Sequence, residues 1–142
     1  MRTIIDTAVA AGTFTAFLGA LKAGSFLDTL RTPGPYTLFA PTDEAFARLA
    51  PSSLRALLRN NRRLRTVLAY HVLSGTMAAS KLVPGDLRTV EGSSLLVATD
   101  NGRLSINGAH IVQSDIFTSN GVIHAIDALL IPRTAVFHAA VA

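Results

Sequence analysis

The sequence predicts an α+β domain in which N-terminal helices pack on a largely antiparallel β-sheet. Two observations carry that prediction. In the first half, apolar residues recur at helical spacing. After Ser74-Gly75 the chain changes to short runs of strand formers separated by Asn-Gly pairs. Length sets the scale: 142 residues, with no internal repeat and no low-complexity tract, make a single domain spanning 1–142. A chain of this size buries about 68–70% of its unfolded surface, so it can hold together without disulfides.

Phe14, Phe17, Leu18 and Leu21 fall at i, i+3, i+4 and i+7, the stripe of a helix packed on a core. Thr13 is placed to cap its start and Gly24 to end it in a left-handed conformation. A short turn over residues 25–30 is broken by Thr32-Pro33-Gly34-Pro35, and Tyr36-Thr37-Leu38-Phe39-Ala40 reads as a strand. Thr42 is a natural N-cap, with Asp43 and Glu44 in the first helical turn, where the backbone dipole favours negative charge. Pro51-Ser52-Ser53 opens a further short helix. Asn60-Asn61 breaks it, and a third places Leu64, Val67, Leu68 and His71 on one side.

The second half reads as a meander. Residues 95–99 and 103–106 flank Asp100-Asn101-Gly102, a hairpin signal because Asn-Gly tolerates the positive φ values of a tight turn. Asn107-Gly108 and Asn120-Gly121 repeat it, bounding strands at 109–112 and 122–126.

Composition narrows function by exclusion. There is no cysteine, hence no disulfide and no thiolate site. Although 49% of residues are hydrophobic, no uncharged apolar run approaches the ~18 residues of a membrane span. Asp6 interrupts any signal-peptide core after Arg2, so Met1 reads as a replacement start on a trimmed chain. His71, His110, His124 and His138 are widely spaced, with no short metal-ligand pattern. No nucleophile elbow or phosphate-binding glycine loop is present, and nothing pairs Asp115 with Asp127 for acid catalysis. A non-enzymatic protein without metal or cofactor is the expectation.

Charge is concentrated. The net charge is +4 and the pI about 10.3, and Arg55, Arg59, Arg62, Arg63 and Arg65 supply five of the 13 basic residues. They form either a solvated helix face or an anion-binding surface for acidic polysaccharide or lipid headgroups. Arginine suits both because its fork grips two oxygens at once. Nucleic acid is disfavoured, since no aromatic residue is interleaved with them to stack bases.

Three segments together are specific: Thr37-Leu38-Phe39-Ala40-Pro41-Thr42-Asp43-Glu44-Ala45-Phe46, then Tyr70-His71, then Asn120-Gly121-Val122-Ile123-His124-Ala125-Ile126-Asp127. In this order and at these separations they resemble the two boundary motifs and the central Tyr-His pair of fasciclin-like adhesion domains. The resemblance covers about residues 3–133 and leaves 134–142 as a tail. It implies a fold of N-terminal helices on an antiparallel β-sheet wedge. It also implies an adhesion module, secreted or at the cell surface, that binds a cell-surface or matrix protein or a glycan. The absence of tandem copies and glycosylation sequons points to a bacterial single-domain member and a monomer.

The resemblance also nominates residues. In animal matrix members a Tyr-His pair among branched aliphatics has been linked to integrin-dependent adhesion; here it is Tyr70 and His71, flanked by Val67, Leu68, Val72 and Leu73. On residue chemistry alone, His71 lies on the apolar helix side, and the plainer reading is a buried imidazole with satisfied nitrogens. Some members carry an Asp-Ile pair before the Asn-Gly motif that is implicated in receptor recognition, and Asp115-Ile116 stands in that place. The plainer reading is a strand with Ile116 inward and Asp115 in water. A small apolar ligand held between helices and sheet is the alternative function, and it requires a sizeable internal pocket.

Overall fold

A computed structural model describes residues 2–132, and the 134–142 tail lies outside the described residues. The first helix, α1 (Ile4–Ala11), adds to those expected. It begins where the Thr3 hydroxyl accepts the Asp6 N–H and ends at Gly12 with φ 76°. Next comes α2 (Thr15–Ala23), which buries Phe17, Ala20 and Leu21 as the stripe requires. Thr13 does not cap it. The free Ala16 N–H is taken instead by Asp43 Oδ1 at 2.8 Å, a carboxylate delivered by the chain crossing beside it. Gly24 is not left-handed; that conformation falls on Ser25, with φ 57°.

Strand β1 (Tyr36–Pro41) leads directly into α3 (Asp43–Ala47), whose start is capped as the sequence predicts, by the Thr42 hydroxyl accepting the Ala45 N–H. The α4 (Pro51–Arg59) and α5 (Asn61–Ala69) helices follow. Asn60 ends one and caps the other, its side chain accepting the Arg63 N–H at 3.1 Å.

The remaining strands are β2 (Val72–Ser74), β3 (Gly85–Arg88), β4 (Ser94–Asp100), β5 (Arg103–Ile106), β6 (Ala109–Thr118) and β7 (Gly121–Ile126). They form one sheet in the order β2-β1-β7-β6-β5-β4-β3. Asn101-Gly102 and Asn107-Gly108 make the expected turns, all four residues at positive φ. The antiparallel expectation needs one correction: β1 and β7 run parallel, from Tyr36 opposite Gly121 to Pro41 opposite Ile126. Nearly the whole domain connects these two strands. No hairpin signal constrains their relative direction, and the long connection permits parallel pairing.

Both faces of the central strands are covered. Leu38, Ala40, Ile123 and Ala125 join Phe17, Leu21, Leu64, Val67 and Leu68 in a core under the helices. Their neighbours Phe39 and Ile126 point the other way, into a second core with Tyr70, Leu95, Val97 and Ile106. This is the period-two alternation of a strand buried on both sides. Asn120 locks the ends together. Its Oδ1 accepts the Ile4 N–H at 2.8 Å, and its Nδ2 donates to the Leu30 and Thr32 carbonyls at 2.7 and 2.8 Å.

Candidate functional site

Strand β6 does not run true beside β7. The register shifts between Ile111 and Gln113 and again between Gln113 and Ile116. Extra residues in one strand of a pair must turn out of the ladder, and Asp115 does so with φ 58°, in the left-handed region that Asp tolerates better than most side chains. Its N–H leaves the sheet and donates to His124 Nδ1 at 3.1 Å. The His124 Nε2–H donates to the Met77 carbonyl at 2.7 Å. Asp115 Oδ1 in turn accepts the Ala79 N–H at 2.8 Å. A bulge on β6, a ring on β7 and the 75–84 connection are thereby closed into one network.

The environment of each member differs. His124 is fully buried and stacked on Phe39, with ring centroids 5.7 Å apart. Burial pulls its pKa below the ordinary imidazole value, against the opposing pull of the Met77 carbonyl and the Asp115 charge. Asp115 is exposed, whereas Ile116 is half-buried and packs on the helix-side core, opposite Ile123. The Asp-Ile pair is thus split, one side chain outward and one inward. Among the described residues the second oxygen of Asp115 has no donor, so a carboxylate held at one oxygen presents the other to solvent.

Tyr70 and His71 lie elsewhere, inside the molecule. His71 is fully buried. Its Nδ1–H donates to the Val67 carbonyl at 2.7 Å, its Nε2 accepts the Leu130 N–H at 3.0 Å, and its ring lies against Phe17. The imidazole is neutral, its pKa lowered to about 4 by burial. The buried Tyr70 directs its hydroxyl to the Ser94 carbonyl at 2.7 Å and accepts from Asn107 Nδ2 at 2.8 Å. Their polar contacts run to these partners and not to the Asp115 bulge.

The arginines divide between two helices as Asn60-Asn61 implies: Arg55 and Arg59 on α4, and Arg62, Arg63 and Arg65 on α5. All are exposed except the half-buried Arg63. These helices cover the Ile123–Ala125 face of the central strands, while His124 and its tie to Asp115 occupy the opposite face. The sheet therefore separates the basic surface from the bulge.

Two surface clefts lie close to these elements. One, of about 420 Å³, is lined by Tyr70, Ser94, Leu96, Asn107 and Ile131. The other, of about 360 Å³, includes Thr13, Asp43, Val112 and Asp127. Of the three acids that line the second, Asp43, Glu44 and Asp127, two have structural tasks: Asp43 accepts the Ala16 N–H and Asp127 the His110 N–H. Neither cleft is the enclosed apolar chamber that a small hydrophobic ligand requires.

Sequence reasoning passed over His124, which it saw only within a motif, and Met77 and Ala79 entirely. The phase was a usable signal: Val122, His124 and Ile126 alternate together, so His124 is a polar side chain at an inward position and needs partners.

Comparison with known proteins places this architecture. The fasciclin domain, as a family profile, matches residues 12–132. The chain belongs to the fasciclin domain family. Protein sll1483 of the bacterium Synechocystis is 35% identical over 92% of this chain and 73% of its own length. The uncharacterized protein sll1735 of the same organism is also 35% identical, over 92% of this chain and 98% of its own. Human periostin is 35% identical over 84% of this chain, which spans only 15% of periostin. A FAS1 domain pair from the insect cell adhesion molecule fasciclin I has the same fold. It superposes with a TM-score of 0.78 at 21% identity, covering 96% of this chain and 53% of that one. Within this fasciclin domain, Phe39-Ala40-Pro41-Thr42 and Asn120-Gly121 act structurally, as a strand end with its helix cap and as the lock on the chain ends. The exposed Asp115 makes two hydrogen bonds, its N–H donating to His124 Nδ1 and its Oδ1 accepting the Ala79 N–H, and among the described residues its second oxygen carries no such task.

Proposed function

We propose that this fasciclin domain is a non-enzymatic adhesion module, secreted or at the cell surface, that contacts a protein or glycan partner through the Asp115 bulge. The observation that carries the reading is the presentation of Asp115. It is an exposed carboxylate in a fixed left-handed backbone, tied at one oxygen and available at the other. A rigid acid of this kind suits a cationic or cation-bearing partner and loses little freedom on binding. One small contact implies modest affinity per domain, raised when many copies engage together. Ile116 supports the contact from beneath rather than touching the partner, and Tyr70 and His71 act through the stability of the domain.

The exposed arginines of α4 and α5 favour a second reading, non-specific attraction to acidic polysaccharide or anionic lipid surfaces. Attachment of cells to protein-coated surfaces separates the two. Asp115→Asn keeps an oxygen for the Ala79 N–H and tolerates the left-handed backbone, but removes the charge. It is expected to abolish attachment while leaving the unfolding midpoint near wild type. The Arg59/Arg62/Arg65→Ala triple is expected to retain most attachment. Loss with the arginine triple alone, together with strong salt sensitivity, would overturn the Asp115 reading in favour of electrostatic binding.

A further inference from the structure

We infer that His124 is a pH-operated latch on the Asp115 bulge: neutral, it holds the bulge in its left-handed conformation, and protonated, it releases it. The inference names the regulation of the contact proposed above and rests on that reading only for its biological consequence.

The geometry dictates the two states. A neutral imidazole offers one donor and one acceptor, and both are used in opposite senses here. Nε2–H donates to the Met77 carbonyl, while Nδ1 accepts the Asp115 N–H at 3.1 Å. An imidazolium has two donors and no acceptor. Protonation keeps the Met77 bond, because Nε2 donates in either state, but points the new Nδ1–H at the Asp115 N–H. Two donors cannot face each other inside a buried site. The yielding side is β6, since Asp115 is exposed, lies within the register shift between Gln113 and Ile116 and already occupies a disfavoured φ. Once Asp115 leaves that conformation, its carboxylate can accept the Nδ1–H. Its Oδ1 then abandons the Ala79 N–H, so one proton loosens the bulge and its tie to the 75–84 connection together.

Among the described residues few charges compete. Strand β1 faces the ring with Phe39, and β6 contributes Asp115 as the charge acting on it. The 75–84 connection carries one ionisable residue, Lys81, which is exposed. Burial holds the ring below its ordinary pKa, so the latched state is the one present at neutral pH. Stability contributed by the neutral ring is complete above the ordinary histidine value and declines as pH falls below it.

The test is a titration of the whole chain, followed by nuclear magnetic resonance of the His124 ring and of the Asp115 and Ala79 amides between about pH 7.5 and 4.5. The expected result is one shared midpoint for all three, below the ordinary histidine value. His124→Asn places an amide oxygen where Nδ1 sits and does not titrate, so the Asp115 and Ala79 shifts should vanish in it. Should that variant fail to fold, the wild-type titration decides alone. Amides that stay flat while the ring titrates, or that still shift in folded His124→Asn, overturn the latch. Wild-type cell attachment at the two ends of the range separates the inference from its premise. A severalfold fall in acid supports both. Amides that follow the ring with attachment unchanged establish the latch and remove Asp115 as the contact.

Discussion

The two buried histidines show how identical side chains acquire different duties from their partners. His71 is held inside the fold: its Nδ1–H and its Nε2 are both satisfied by backbone, and among the described residues its ring bonds to no exposed group. Its folded pKa of about 4 lies below the ordinary value of 6.5, so the unfolded chain binds a proton that the native chain excludes. His71 therefore stabilises the domain fully above pH 6.5, and that contribution is lost as pH falls towards about 4, where it levels off. Across that window the loss amounts to about 3 kcal/mol, taking 1.36 kcal/mol per pKa unit. Urea unfolding at a series of pH values should show this decline, with the native His71 ring titrating near 4. A ring that titrates at the ordinary value would place His71 in contact with water and reverse the assignment. His124 is lowered in the same direction but opens onto an exposed residue, and that difference makes one histidine a core part and the other a latch.

At the scale of elements, the parallel pairing of β1 with β7 is the joint on which the fold closes, and Gly121 is its tightest point. A Cβ at Gly121 would fall 1.9 Å from the Tyr36 carbonyl oxygen, and the residue also has φ 155°. Gly121→Ala combines a backbone clash with a strained conformation and is expected to cost at least about 3 kcal/mol. Gly12 also has positive φ but faces open space, so Gly12→Ala should cost only about 1 kcal/mol. Chemical denaturation of the pair measures the difference, and equal losses would mean that the Tyr36 contact is not limiting. This joint was not legible in the sequence. Asn120-Gly121 looks like a third Asn-Gly turn, but unlike Asn101 and Asn107, Asn120 does not take positive φ; its side chain is buried and bonded to three distant backbone groups. What local chemistry governs was readable: the Thr42 cap, the Asn60 break, the two true Asn-Gly turns and the stripe of α2. α1 was not among the expected helices, although Thr3 before Ile4, Ile5 and Ala8 with Gly12 after them is a local signal of the same kind. Whatever depends on residues meeting from across the chain was not readable. Asp43 capping α2, the direction of β7 and the partnership of Asp115 with His124 are set by packing, which no spacing in the sequence records.

On the scale of the whole molecule, two cores share one pair of central strands, and that arrangement governs how the domain unfolds. The helix-side core takes Leu38, Ala40, Ile123 and Ala125 from β1 and β7, and the second takes Phe39 and Ile126 from the same strands. His71 adds another bridge, its ring against Phe17 of the first core and its Nε2 accepting from Leu130 of the second. Neither core can come apart without exposing the reverse face of strands that the other needs, so the two should be lost in one transition. The chain provides its own reporters, for it has no tryptophan and only two tyrosines. Tyr36 packs on the first core and Tyr70 belongs to the second. Tyr70→Phe leaves a fluorophore on the helix side and Tyr36→Phe one on the other. In each variant the fluorescence midpoint in urea should coincide with that of circular dichroism. Leu68→Ala and Leu95→Ala remove a buried side chain from one core each, at a cost of about 2–5 kcal/mol. Each should move both signals together. A Leu95→Ala protein whose second core melts early while the helix side persists would show that the shared strands do not couple the cores. The bulge at Asp115, which is tied to the second-core face, would then sit on a separately stable layer.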